Sequence, residues 1–199
     1  MSKPADIVIH TKLENGHPVC IRSITQSDAE RMRVGISRMS AQSRYLRFFS
    51  GAATPPDWVI ERLTEVDGHE HIAWGAVDAA DESEPAIGAV HAFRHHEDED
   101  CAEFSVGVLD DYHGLGLGKM LTATILIDAR REGLAHFAVN ILAENRSARD
   151  FAKSLGATYE GLEDGVMQFQ LDVEDAIEAL RAECDPPGMA EVFNAFEDA

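Results

Sequence analysis

Cysteine is scarce in this chain of 199 residues: Cys20, Cys101 and Cys184 are all it has. They are odd in number, scattered and free of any C-x-x-C spacing. That indicates neither a disulfide framework nor a zinc site, and it suits a reducing, cytoplasmic location. Positive charge is short as well. Lys and Arg number 17 against 36 Asp and Glu, for a formal net charge of −19 and a pI of about 4.7. Such a field repels phosphate and argues against a nucleic-acid partner. It attracts ammonium groups and lysine-rich loops, although a merely solubilising surface accounts for the same charge. No basic-then-apolar leader opens the sequence and no apolar run reaches membrane-spanning length, so neither export nor a membrane partner is expected.

Apolar residues are plentiful, at 45%, and the length fits one globular domain with a full core. The most informative stretch runs from Ala102 to Leu121. Ala102, Phe104, Val106 and Val108 alternate with Glu103, Ser105 and Gly107, as in a strand with one apolar face and one face open to chemistry. Gly114, Gly116 and Gly118 follow, then Leu117, Leu121, Ile125 and Ala129 at helical spacing, with Gly133 as a stop. A glycine turn feeding a helix start is an anion site, because unpaired N–H groups and the helix dipole both favour phosphate. A Walker loop is excluded by Met120, which stands where Ser or Thr must follow Gly-Lys. The spacing after Gly116 also fails the dinucleotide G-x-G-x-x-G pattern.

What remains, His113-Gly-Leu-Gly-Leu-Gly-Lys119 after a strand, resembles the pyrophosphate loop of the GNAT superfamily of acyl-CoA N-acyltransferases. His113 stands in place of the usual Arg or Gln. Downstream, the apolar run His136 to Leu142 and the segment Asn145 to Gly156 resemble the family's fifth strand and following helix. Within the family, Ser43-Arg-Tyr-Leu-Arg-Phe-Phe-Ser50, Glu65 to Trp74 and Ala102 to Val106 resemble the acetyltransferase domain of bacterial Pat-type protein lysine acetyltransferases. The resemblance covers about residues 18–173. It implies acetyl-CoA as co-substrate and no metal. It implies cofactor contacts from Val106, Gly107 and Val108, from His113, Gly114, Leu115, Gly116, Leu117, Gly118 and Lys119, and from Asn145. It implies Glu103 as general base on an incoming amine. Many members carry a Tyr seven residues after the Asn to protonate the CoA thiolate, and this chain has Ala152. Tyr45, Arg47, Phe48 and Phe49 are candidates for the acceptor wall, with plain helix packing an equal alternative. Lys119, Arg146, Arg149 and Lys153 are placed where CoA phosphates would lie.

The residue pattern divides into an N-terminal lead (1–17), a main body (18–173) and a C-terminal helical extension (174–199). The expected fold is α/β (α+β): a mixed, mostly antiparallel sheet of six to seven strands flanked by helices. Strands are expected at 18–24, 71–77, 87–94, 102–108, 136–142 and 166–173. Capping boxes are expected at Ser27/Glu30 and Ser147/Asp150, and a helix start at Thr54-Pro-Pro. The aromatic-basic segment 43–50 is expected between helices. His95 and His96 with the acids after them read as a solvated hairpin turn, and His69 and His71 as loop and strand residues. Met189, Val192, Phe193 and Phe196 form an apolar stripe that is expected to dock on the body, a homodimer contact being the alternative. Three functions stay open: acetylation of protein lysine, acetylation of a small amine such as a polyamine, and a non-catalytic acyl-CoA-binding module.

Overall fold

A computed structural model describes residues 7–50, 52 and 54–197. Residues 1–6 of the lead and 198–199 of the extension lie outside it. The strands are β1 (Val8–Lys12), β2 (Pro18–Ser23), β3 (His71–Asp78), β4 (Ala86–His95), β5 (Asp98–Val108), β6 (His136–Leu142), β7 (Thr158–Glu163) and β8 (Val166–Asp172). The helices are α1 (Ala29–Arg38), α2 (Ala41–Phe48), α3 (Asp57–Thr64), α4 (Leu117–Arg131), α5 (Arg146–Ser154), α6 (Val173–Glu183) and α7 (Met189–Glu197). They build one eight-stranded sheet in the order β1-β2-β3-β4-β5-β6-β8-β7. The mixed, mostly antiparallel class is as expected. The strand count is larger because the lead contributes β1, paired along β2, and because 158–163 adds an edge strand to β8.

Two layers cover the sheet. Trp74 of β3 faces α4 and α7, donating to Asp128 at 2.8 Å and packing on Phe196 at 5.6 Å between ring centroids. Ala73, one residue away, points through the other face into a second cluster with Met32, Ile36, Ile60 and Leu63 from α1 and α3. This alternation is the period-two geometry of a strand buried on both faces. The apolar stripe of the extension is buried: Met189, Val192, Phe193 and Phe196 all sit in the main core. Its docking partners are α4 and β1 of the same chain, as favoured from the sequence.

Three local expectations are corrected. The first capping box uses Thr25 and Asp28 rather than Ser27 and Glu30: the Asp28 carboxylate accepts from the Thr25 amide at 3.0 Å and from Arg22 at 2.6 and 2.8 Å. Arg22 helps hold the Asp28 carboxyl well below the usual range despite the opposing effect of burial, while Glu30 pairs with Arg33 at 3.5 Å. In α5 the cap is Asn145, whose side chain accepts from the Ala148 amide at 3.1 Å, and Ser147 falls inside the first turn. Segment 43–50 is not an inter-helix linker. Ser40 caps a helix over most of it, accepting from the Ser43 amide at 3.1 Å.

Candidate active site

β5 and β6 are the parallel pair in an otherwise antiparallel sheet. They stay together only from Cys101 opposite His136 to Phe104 opposite Val139. Beyond that point β5 continues to Val108 against β4 alone, while β6 continues to Leu142 against β8. The sheet therefore opens a gap at the carboxyl ends of two parallel strands, the place where α/β sheets hold ligands. Leu109 donates to the Ile87 carbonyl across β4 at 2.9 Å. By antiparallel alternation the amides of Gly107 and Ser105 then also face β4, and those of Val106 and Val108 face the gap.

The glycine turn lies at the end of β5. Gly114 and Gly116 adopt left-handed φ of 72° and 83°, which favours glycine at both positions. The first α4 bond runs from the Met120 amide to the Gly116 carbonyl, so the amides of Leu117, Gly118 and Lys119 are helix-start donors without a partner among the described residues. A Cβ built on Gly114 or Gly118 would meet nothing within 4 Å, which leaves the turn open to a close-approaching anion. These residues fit a pyrophosphate, with two revisions. The His113 amide donates to the Asp110 carbonyl at 3.1 Å and its Nε2 lies 2.9 Å from the Val108 carbonyl, so His113 braces the turn and leaves the cradle to residues 114–119. The Lys119 ammonium is engaged by Glu183 at 2.6 Å, from the end of α6, and by Asp185 at 3.4 Å, from the segment that follows it. Arg149 packs its guanidinium on Met167 at 3.6 Å. Asn145 stands just past β6, at the same end of the parallel pair, with its oxygen used as the α5 cap.

Glu103, Ser105 and Gly107 share the face of β5 that looks toward α1 and α2. Glu103 is exposed there, across from Phe93. Arg47 of α2 donates to Ser105 Oγ at 2.7 Å, and its chain lies 3.5 Å from where a Gly107 Cβ would stand. Burial draws the Arg47 guanidinium down to about 10, partly offset by the nearby Glu103 charge. Arg47 and Phe48 line an apolar slot running under α1. Tyr45 and Phe49 instead stand exposed on the outer side of α2. Ala152, at the position where the family carries its tyrosine, is buried.

Two features of this face had no signal in the sequence. One is a pair of buried histidines. His71 Nδ1 faces the Glu65 carbonyl at 2.8 Å and Nε2 faces His91 Nδ1 at 3.0 Å. A carbonyl only accepts, so His71 carries its proton on Nδ1 and accepts from His91, whose Nε2 lone pair is left on the side of Arg47. Burial lowers both imidazoles, and the Arg47 charge lowers His91 further, so both are neutral at neutral pH. The other is Asp110, which accepts from the Ser40 amide at 2.9 Å and from the Ser40 and Ser43 hydroxyls at 2.8 and 2.7 Å. It thereby ties the start of α2 to the loop after β5. Burial acts to raise the Asp110 carboxyl, but these bonds win and hold it at about 2.

A profile described as the Acetyltransferase (GNAT) family matches residues 40–157, which span β5, the glycine turn and Asn145. The protein named Acetyltransferase Pat from Mycolicibacterium smegmatis is 28% identical over 165 residues, covering 83% of this chain. The chain spans about half of that relative, 49% of its length. Acetyltransferase PA5475 from Pseudomonas aeruginosa is 31% identical over 144 residues, covering 72% of this chain and 77% of the relative. Among solved structures, the GNAT domain of S. lividans PAT superimposes with a TM-score of 0.76 at 27% identity, covering 86% of this chain and 99% of that one.

Proposed function

Because this chain belongs to the acetyltransferase (GNAT) family, we propose that it moves an acetyl group from acetyl-CoA to a primary amine, a protein lysine in the first instance, with Glu103 as general base. The observation that carries the proposal is the juxtaposition of the β5–β6 gap, the open helix start and a carboxylate on the acceptor face of the same strand. Acetyl-CoA supplies the thioester carbonyl that an amine attacks. The amides of Gly114 to Lys119 would hold its diphosphate, and those of Val106 and Val108 its pantetheine arm and carbonyl oxygen.

A lysine amine has a pKa of about 10.4, so its reactive free base is disfavoured by roughly 4–5 kcal/mol near neutral pH. Glu103, directly or through a water, takes that proton as the amine approaches. Ser105 and Gly107 keep the rest of this face low, with Arg47 held beside them on Ser105. With Ala152 in place of a tyrosine, the thiolate leaves without that side-chain acid, unassisted or protonated by solvent or another group. The net charge of −19 supports a cationic acceptor. The Pat-like relatives support a protein lysine over a small amine.

The test is single-turnover transfer from radiolabelled acetyl-CoA to lysine-bearing proteins and to polyamines, with wild type and Glu103→Gln. The variant should bind CoA as wild type does and lose about 10²–10⁴ in turnover, the usual span for a general base. Normal transfer by the variant removes Glu103 from the mechanism. Labelling confined to polyamines replaces the protein acceptor with a small one.

A further inference from the structure

An open cavity of about 1050 Å³ lies at the end of the sheet where β3 begins. β3 and β5 both run antiparallel to β4, so this end is opposite the glycine turn. The space exists because β2 stops at Ser23, beside Trp74, while β3 starts three residues earlier at His71. Residues 23–26 then form one wall and the loop after α3 another, with Asp128 and Glu132 of α4 completing it. Its size is at the upper end of the roughly 300–1,000 Å³ usual for ligand pockets. Asp128 is 1% exposed. Its Oδ2 accepts from the Trp74 indole at 2.8 Å, and its Oδ1 has no hydrogen-bond partner among the described residues. A buried carboxylate oxygen without a donor is costly, and the cavity is the side from which a donor can reach Asp128.

The cations of the wall are engaged elsewhere. Arg62 lies over the Phe93 ring at 4.8 Å. Arg94 donates to the carbonyls of His69 at 3.2 Å, Glu132 at 2.9 Å and Glu99. Glu65, Asp67 and Glu70 add negative charge to the loop wall, and Ile24, Val66 and Ile72 add hydrocarbon. We infer that this cavity is a ligand site for a small organic cation, whose ammonium or guanidinium donates to Asp128 Oδ1 while its apolar body lies on Ile24, Val66 and Ile72. An amine in this site is out of reach of the thioester, at the far end of the sheet. The inference stands without the acetyltransferase reading, because no residue of the cavity is among those proposed to hold acetyl-CoA or to act as base.

The test is calorimetric titration with agmatine, which carries an ammonium and a guanidinium on one hydrocarbon chain, of wild type, Asp128→Asn and Glu103→Gln. The buffer is kept above the Asp128 carboxyl's value of about 6, so that the carboxylate is ionised. Wild type and Glu103→Gln should bind alike, and Asp128→Asn should lose about tenfold or more in affinity, as removal of one partner from a buried charge pair does. Asparagine keeps an acceptor for the Trp74 indole, and a cooperative melt of that variant separates loss of the site from loss of the fold. Unchanged affinity in Asp128→Asn, or no binding by wild type, overturns the site. Binding that is lost in Glu103→Gln and kept in Asp128→Asn also overturns it, and makes agmatine a ligand of the acceptor face. None of these results touches the acetyltransferase reading, which fails on its own terms if CoA does not bind.

Discussion

Gly118 separates cofactor binding from folding. Its φ is ordinary and a Cβ there meets nothing in the protein, so Gly118→Val should leave the melting temperature of the free protein within a few degrees of wild type. In the proposed complex that side chain stands where the diphosphate approaches, and CoA affinity should fall at least tenfold. A variant that binds CoA normally by calorimetry would place the cofactor elsewhere. Gly116 is the poorer choice, because a Cβ there would overlap the Pro186 ring at a φ of 83°. A bulky residue there disturbs the C-terminal segment whether or not a ligand is present. The distinction was not legible in the sequence. The placement of Glu103 on a strand and of the glycines in a turn was, since strand alternation and glycine spacing are local and need only a few neighbours. The partners of Lys119 lie 64 and 66 residues away, and the histidine pair joins positions 20 apart on two strands. Pairings of that kind are fixed by register, which a linear pattern does not reveal.

At the scale of elements, α2 carries Arg47 and is held at its start by Asp110. Asp110→Ala removes three hydrogen bonds to Ser40 and Ser43 and frees α2 to shift. Small misplacements around a reacting centre cost as much as about 10² in rate. We expect kcat/KM to fall about 10–10²-fold with CoA affinity little changed, and Asp110→Asn, which keeps one acceptor oxygen, to lie between. Equal kinetics in all three proteins would show that α2 is positioned by its apolar contacts alone. The helix itself escaped the sequence reading because its aromatic and basic residues look like a surface cluster, and because its cap, Ser40, is visible only once Asp110 is brought to it.

Helix α4 carries the second prediction at this scale. Asp128 is buried, with one oxygen on the Trp74 indole and the other without a partner among the described residues. Burial, aided by Glu132 and opposed by the Trp74 bond, raises its carboxyl to about 6. The folded protein thus keeps a proton that the unfolded chain releases near 4. This contribution to stability is full below about pH 4 and is lost as pH rises through about 6. Asp128→Asn should therefore stabilise the protein by about 1–3 kcal/mol at pH 8 and by nothing at pH 4. Denaturant unfolding at the two pH values measures it, and a gain of equal size at both would refute the burial argument.

For the whole molecule, the tail helix belongs to the body. Met189, Val192, Phe193 and Phe196 are each buried against the main core. Burial of such side chains contributes about 1.5–3 kcal/mol apiece, so together they rival the whole net stability of a domain, about 5–15 kcal/mol. Deletion after Pro187 should leave a chain without a cooperative thermal transition by circular dichroism. A cooperative melt within a few degrees of wild type would make α7 dispensable. The stripe was legible from helical spacing. Its landing place was not, because β1 and α4 offer it a groove that exists only after the sheet has formed.

The same segment sets a timetable. Thr11 donates to the Gly188 carbonyl across 177 residues, and Lys119 meets Asp185 across 66. At about 5–20 residues per second of synthesis, α4 waits about 3–13 s for its acidic partner. For that interval α4 exposes the apolar face that α6 and α7 later cover, and Lys119 has no carboxylate from that segment. The growing chain is therefore most vulnerable to self-association after α4 has been made and before α6 and α7 have arrived.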